Sequence, residues 1–183
     1  RGEGELRSIF SATAEGNLNG VYYTYEVHTP DGTFSSHDPY ARACGVNGHR
    51  SMVIDLSKTD PDGFADEDRP KLADPMSMVI TEVSIADVSA GASAHSRYPG
   101  KFKAFTEDKI LSYFKDMGVT HLQIMPSYDF ASIDESDSLK EQYNWGYDPY
   151  NYNVPEGSYS TDPFNGAVRV REYKEMVHSI HEA

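Results

Sequence analysis

The stretch Thr106-Glu107-Asp108-Lys109-Ile110-Leu111-Ser112-Tyr113-Phe114-Lys115-Asp116-Met117-Gly118, followed by Val119-Thr120-His121-Leu122-Gln123-Ile124-Met125-Pro126, decides how the chain is read. Ile110, Phe114 and Met117 recur at i, i+4 and i+7 with Leu111 beside them, which is the spacing of one apolar helix face. Thr106 is placed to cap that helix, and Glu107 and Asp108 complement the positive end of its dipole. Gly118 supplies the left-handed residue that stops it. Val119–Met125 then reads as a strand ended by Pro126. Upstream, Met78–Ile85 reads as another strand, with β-branched Val79, Val83 and Ile85. A loop through Gly91-Ala92-Ser93 separates it from the helix. Strand, helix, strand in this order predicts a parallel pair with a right-handed crossover. Val168–Glu182 predicts a second helix, with Val170, Tyr173, Val177 and Ile180 on one face. No third strand follows, and a βαβα unit needs more sheet to cover its far side. The sequence is therefore expected to be a piece of a longer fold, cut at both ends.

Residues before Pro70 follow another pattern. Residues 1–20 read as a loose terminus with a short strand at Leu6–Phe10. Val21–Val27 alternates, with Val21, Tyr23, Tyr25 and Val27 on one face, and predicts a half-buried strand. Pro30-Asp31-Gly32 is a turn signal, and Thr33–Ser35 a returning strand. Ser51–Leu56 alternates again, with Met52, Ile54 and Leu56 inward. Short strands and polar turns over roughly the first 60 residues predict a sandwich.

With 183 residues, 38% hydrophobic and 25% charged, the chain can bury a core in one domain or two small ones. A net charge of −13 repels phosphate backbones and anionic lipid, so nucleic-acid and membrane-surface roles are disfavoured, while a neutral polymer is compatible with it. No apolar run approaches the ~18 residues that span a bilayer. No signal-peptide pattern is visible, and with Arg1 in first place the compartment stays open. Cys44 is the only cysteine, so an intrachain disulfide and a cysteine-based zinc site are both excluded. It reads as a reduced, part-buried thiol.

From Ser127 to about Asn165 the sequence loses periodicity; long irregular segments in compact domains are usually functional or disordered, and the richness of this one in aromatic residues favours function. At its centre lies Tyr143-Asn144-Trp145-Gly146-Tyr147-Asp148-Pro149, continued by Asn151-Tyr152-Asn153-Val154-Pro155-Glu156-Gly157. Aromatic rings, amides and carboxylates are costly to bury together. They suit a surface that stacks on a sugar and hydrogen-bonds its hydroxyls. Gly146 and Gly157 permit tight turns beside bulky neighbours, and Pro149 and Pro155 stiffen them. Asp148 reads equally as a sugar contact or as a brace for the loop. The acidic runs Asp60-Pro61-Asp62-Gly63, Asp66-Glu67-Asp68 and Asp134-Glu135-Ser136-Asp137 lack the calcium-loop spacing and read as solvated. The first two of these form an interdomain linker. His178 and His181, at i and i+3, read as exposed helix residues near a fraying end. No metal ligand and no cofactor is assigned.

The run Tyr143–Pro149 closely resembles the signature of type I pullulanases, the α-1,6-glucan debranching enzymes of glycoside hydrolase family 13. The likeness runs from near Tyr22 to the end of the chain. Gly118–Pro126 resembles the second barrel strand of that family, and Glu82–Val88 the first. In the latter, Ser84 and Ala86 replace the usual histidine and arginine, and Thr81 an aromatic residue. Asp38-Pro39-Tyr40-Ala41, Gly45-Val46-Asn47-Gly48 and Val53-Ile54-Asp55-Leu56 resemble the preceding β-sandwich module, akin to carbohydrate-binding module family 48. The resemblance implies an α/β fold with a β part. Residues 1–72 would be part of a β-sandwich and residues 73–183 the first βα units of a (β/α)8 TIM-type barrel. It further implies that Tyr147 stacks on the glucose whose bond is cut, with Asn144, Trp145 and Asp148 in the same substrate-binding set. The implied partners are an α-glucan (pullulan, starch, glycogen or a maltooligosaccharide) and the rest of the barrel. A retaining glycosidase needs two carboxyl groups about 5–5.5 Å apart across the scissile bond. In the family these lie on later strands. No residue here is assigned as catalytic, Asp148 and Glu156 included, and the chain alone is expected to be inactive. The rival readings are a glucan-binding piece without chemistry and a structural remnant.

Overall fold

The computed structural model describes residues 11–137, 140 and 142–183. The strand expected at Leu6–Phe10 lies outside them. The parallel unit forms as the sequence predicts. Strand β5 (Ile80–Val83) pairs in parallel with β6 (His121–Ile124), from Ile80 opposite His121 to Val83 opposite Ile124. Helix α2 (Asp108–Asp116) connects them. It ends where Gly118 adopts φ +73°, with the Gly118 amide donating to the Lys115 carbonyl and the Val119 amide to that of Phe114. This pair of bonds is a Schellman close, which satisfies the last carbonyls of the helix.

Two boundaries differ from expectation. Thr106 does not cap α2, because it ends a 3₁₀ segment, Phe102–Thr106, and its hydroxyl donates to the Lys103 carbonyl at 2.8 Å. Glu107 takes the cap position without capping, because its carboxylate accepts instead from the Ser96 hydroxyl and the Arg97 amide, at 2.6 and 3.0 Å. Strand β5 also stops short of Ile85. The Ser84 hydroxyl accepts from the Asp87 amide and opens a short helix, α1 (Ile85–Ala90), inside what reads as a continuous strand.

The core lies between β5, α2 and helix α3 (Gly166–Glu182). Phe102, Ala104 and Phe105 are fully buried at its centre. The Phe102 ring meets those of Tyr159 and Tyr173 edge-on, at 5.6 and 5.3 Å between centroids. Each fully buried Phe contributes roughly 1.5–3 kcal/mol. Tyr173, Val177 and Ile180 of α3 pack against this cluster, as their spacing predicts, and Met176 is buried within it.

The first part of the chain departs further. Among the described residues every sheet is two-stranded, so two packed sheets are not observed there. The predicted Val21–Val27 strand breaks at Thr24 into β1 (Tyr22–Tyr23) and β2 (Tyr25–Thr29). β1 pairs with β4 (Ser51–Met52), and β2 forms a hairpin with β3 (Gly32–Ser36). All residues of the hairpin are exposed, including Tyr25 and Val27, because no described layer packs on it. Met52 points inward and Ile54 lies against it, but Leu56 is exposed and starts a 3₁₀ turn capped by Asp55.

Residues 41–67 wrap α3 rather than standing apart from it. A Cβ on Gly166, the first residue of α3, would lie 2.6 Å from the Cys44 carbonyl oxygen. The Lys174 ammonium binds Leu56, Thr59 and Asp60. Glu67 is not solvated. Its carboxylate joins His178 Nδ1 and His181 Nδ1, each at 2.8 Å, so the acidic run is clasped to the end of α3 and those histidines are not free. The two imidazoles hold the Glu67 carboxyl below its ordinary range. No described helix is long and apolar enough to cross a membrane.

Candidate functional site

The segment read as irregular contains a ribbon. β7 (Tyr128–Phe130) and β8 (Pro149–Pro155) pair antiparallel with bulges on either side of Asp129. Between them the chain makes the loop that carries Tyr143–Asp148. Gly146 holds this loop on the carboxyl end of β6. It has φ +85°, and a Cβ there would lie 2.5 Å from the Pro126 carbonyl oxygen and 3.0 Å from Pro126 Cβ. A side chain could not fit at that contact, and the backbone conformation favours glycine.

The four residues singled out by sequence divide into two pairs. Asn144 and Asp148 brace the loop. Asn144 Nδ2 donates to Asp148 Oδ1, the Gly146 amide donates to Asn144 Oδ1, both at 2.8 Å, and the Ser132 hydroxyl donates to Asp148 Oδ2. Partial burial pushes the Asp148 carboxyl upward, but the Ser132 and Asn144 bonds outweigh it and hold it below the ordinary range. Of the two roles open to Asp148, its contacts fit the brace. Trp145 and Tyr147 instead face outward, 61% and 64% exposed. Tyr147 borders a cleft of about 400 Å³ with Glu82, Gln123, Met125, Pro126 and Tyr128. Glu82 and Gln123, from β5 and β6, hydrogen-bond each other at 3.0 Å. The arrangement is an exposed ring beside amide and carboxylate groups at the carboxyl ends of two parallel strands. It can stack on an apolar face and hydrogen-bond the hydroxyls around it.

Beneath the loop lies a charged network that sequence reasoning missed. Arg169, in the first turns of α3, is 0% exposed. Its guanidinium donates to Asp129 at 3.1 Å, to Glu135 at 2.9 Å, and to the carbonyls of Gly45, Pro155 and Pro163. Glu135 also accepts from the Asn47 and Gly157 amides, so it is not part of a solvated run. Glu156 is 0% exposed and accepts from the Phe130 and Ser158 amides. Cys44 is fully rather than partly buried beside Arg169 and Asp129, and burial pushes its thiol up. Burial, opposed by Asn151 and Arg169, raises the Asp129 carboxyl to about 6. Burial, reinforced by neighbouring Glu135, raises Glu156 to about 8. The only sequence signal was that Arg169, Glu172 and Met176 share a helix face, with charge where apolar residues would be expected.

Oxygens of Asp129, Glu135 and Glu156 lie within 4.8 Å of one another, a spacing that could suit a cation or an acid pair. Here the Arg169 guanidinium supplies the countercharge. All three carboxyl groups are buried beneath the loop and out of reach of a polymer. They therefore belong to the support of the site.

No family model matches this sequence. The curated pullulanase of Bacillus subtilis is 31% identical over 185 residues, covering 96% of this chain and 25% of that protein. The crystal structure of pullulanase from Paenibacillus barengoltzii, complexed with maltohexaose and alpha-cyclodextrin, matches with a TM-score of 0.85 at 42% identity, over 88% of this chain and 27% of that one. The chain belongs to the pullulanase family. A third relative, the pullulanase of Anoxybacillus sp. LM18-11 complexed with maltotriose, is 34% identical with a TM-score of 0.83, over 91% of this chain and 24% of that one. This pullulanase-family chain thus spans about a quarter of the length of these relatives. Within it, the Ser84 hydroxyl caps α1.

Proposed function

We propose that this chain is the part of a pullulanase-like glycoside hydrolase that positions α-glucan for cleavage of α-1,6 branch links in pullulan, glycogen or starch. Residues 1–72 would form part of a β-sandwich module, and residues 73–183 the first βα units of a (β/α)8 barrel. The remaining barrel would supply the catalytic carboxylates, and this chain would supply Tyr147 as the stacking ring. The observation that carries the reading is the placement of Tyr147, outward-facing beside the carboxyl ends of β5 and β6. Barrel enzymes build their active sites at those strand ends. Asn144 and Asp148 hold the loop in shape, and Trp145 flanks the ring.

Calorimetric titration with maltohexaose, alongside a pullulan hydrolysis assay, tests this. The chain should bind and not turn over. Tyr147→Ala should weaken binding by about 10- to 100-fold, the effect of truncating an aromatic anchor worth roughly 1.4–2.8 kcal/mol. Equal affinity in the variant would remove Tyr147 from the site. Hydrolysis by the purified chain would place a catalytic pair inside it. Absence of binding in the unaltered chain would leave a structural role.

A further inference from the structure

We propose that Tyr143 and Asp87 form a latch that sets the position of Tyr147, making both of them positioning residues for glucan stacking. The proposal rests on the glucan-binding reading above. Asp87 lies in the first turn of α1, directly after β5, and Tyr143 opens the aromatic loop. The Tyr143 hydroxyl donates to Asp87 Oδ2 at 2.8 Å, across 56 residues of sequence. A bond to an ionised acceptor is stronger and more directional than one between neutral groups.

Other contacts also fix the loop, among them a pair of hydrogen bonds between the Gln142 side-chain amide and the Asp134 backbone. Gly146 seats it on Pro126 at the end of β6, and Asp148 ties its far end to Ser132 and Asn144. Among the described residues, the latch is the hydrogen bond that ties it to the β5 side. With it, the loop bridges the carboxyl ends of both parallel strands, and Tyr147 is held over the gap between them. Both latch side chains are exposed, so neither contributes to the core. Removing the latch should therefore move the ring without unfolding the chain. The raised tyrosine of the pair accords with this, since the bond to Asp87 stabilises its protonated form.

Trp145 is the only tryptophan, two residues from both Tyr143 and Tyr147, so its emission reports on this loop. Tyr143→Phe and Asp87→Asn should each raise the dissociation constant for maltohexaose about 3- to 10-fold, the net worth of one hydrogen bond. The double variant should bind no more weakly than either single one, because both changes delete the same bond. Acrylamide quenching of Trp145 should rise in all three, with the melting temperature unchanged. Unchanged quenching and affinity, or losses that add in the double variant, would overturn the latch. If the unaltered chain does not bind maltohexaose, the glucan reading fails and the proposed positioning role fails with it. Quenching would then still decide whether the bond orders the loop. If the chain binds and Tyr147→Ala does not, while the latch variants match the unaltered chain, only the latch fails.

Discussion

Arg169→Ala should cost about 3–5 kcal/mol of folding stability, the loss measured when one member of a buried charge pair is removed. Domains hold only about 5–15 kcal/mol in total, so the variant should sit near unfolding at room temperature. The cause is less the lost attraction than what stays behind. Asp129 and Glu135 would remain buried without their guanidinium, and the carbonyls of Gly45, Pro155 and Pro163 would lose a donor. A second variant separates these effects. Arg169→Met combined with Glu135→Gln removes charge of both signs and should recover part of the loss. Urea unfolding followed by circular dichroism reads both. A loss below about 1 kcal/mol for Arg169→Ala would mean that the network contributes little to stability.

Stability should also fall as pH rises from about 5 to about 8. The physical origin is Glu156. Its carboxyl lies near 4.5 when unfolded and is raised to about 8 in the fold, chiefly by burial and then by Glu135. Facing it are Asp129, Glu135, Lys101 and Tyr159, and the Lys101 cation does not offset the penalty. The folded state therefore keeps a proton that the unfolded state releases over that interval. The stabilisation is complete below about pH 4.5 and is lost as pH climbs to about 8. Asp129, raised from 3.8 to about 6, adds to the lower half of this window. Each unit of difference is worth about 1.4 kcal/mol, so the fall amounts to a few kcal/mol. On the acid side, Glu67, Glu107, Asp134 and Asp148 are all held below their ordinary range, and their contributions disappear as pH drops through that region. The melting temperature should therefore peak near pH 5. Glu156→Gln should flatten the alkaline limb. It should carry an offset of about 1 kcal/mol, because an amide oxygen can accept from only one of the Phe130 and Ser158 amides. A melting temperature that rises from pH 5 to pH 8 in the unaltered chain would refute this account.

Both expectations concern the support of the site rather than its surface. Phe130 and Glu156 flank the ribbon from which the aromatic loop projects, and Arg169 joins that ribbon to α3 and to the Cys44–Gly45 segment. The outward-facing Tyr147 ring thus stands on a charged foundation whose proton count is set by burial.

Local chemistry was legible in the sequence. The apolar stripe of α2, its stop at Gly118, the parallel strands around it and the inward face of α3 all follow from short-range spacing and backbone preference, which act within a few residues. The aromatic run was legible for the same reason, since rings and amides in one turn-rich segment have few uses in a core. Tertiary structure decided the rest. Thr106 lost its capping role because its hydroxyl binds the Lys103 carbonyl, and Glu107 moved from the first turn to the cap position, where Ser96 and Arg97 engage its carboxylate. Glu67 left the solvent for two histidines 111 and 114 residues away. Arg169, Asp129, Glu135 and Glu156, scattered over 41 positions, meet only once β7, β8 and α3 have packed. A charged residue read in isolation is taken as solvated, because exposure is its cheapest state. Only the fold can provide the partners that make its burial tolerable, and those partners are distant in sequence.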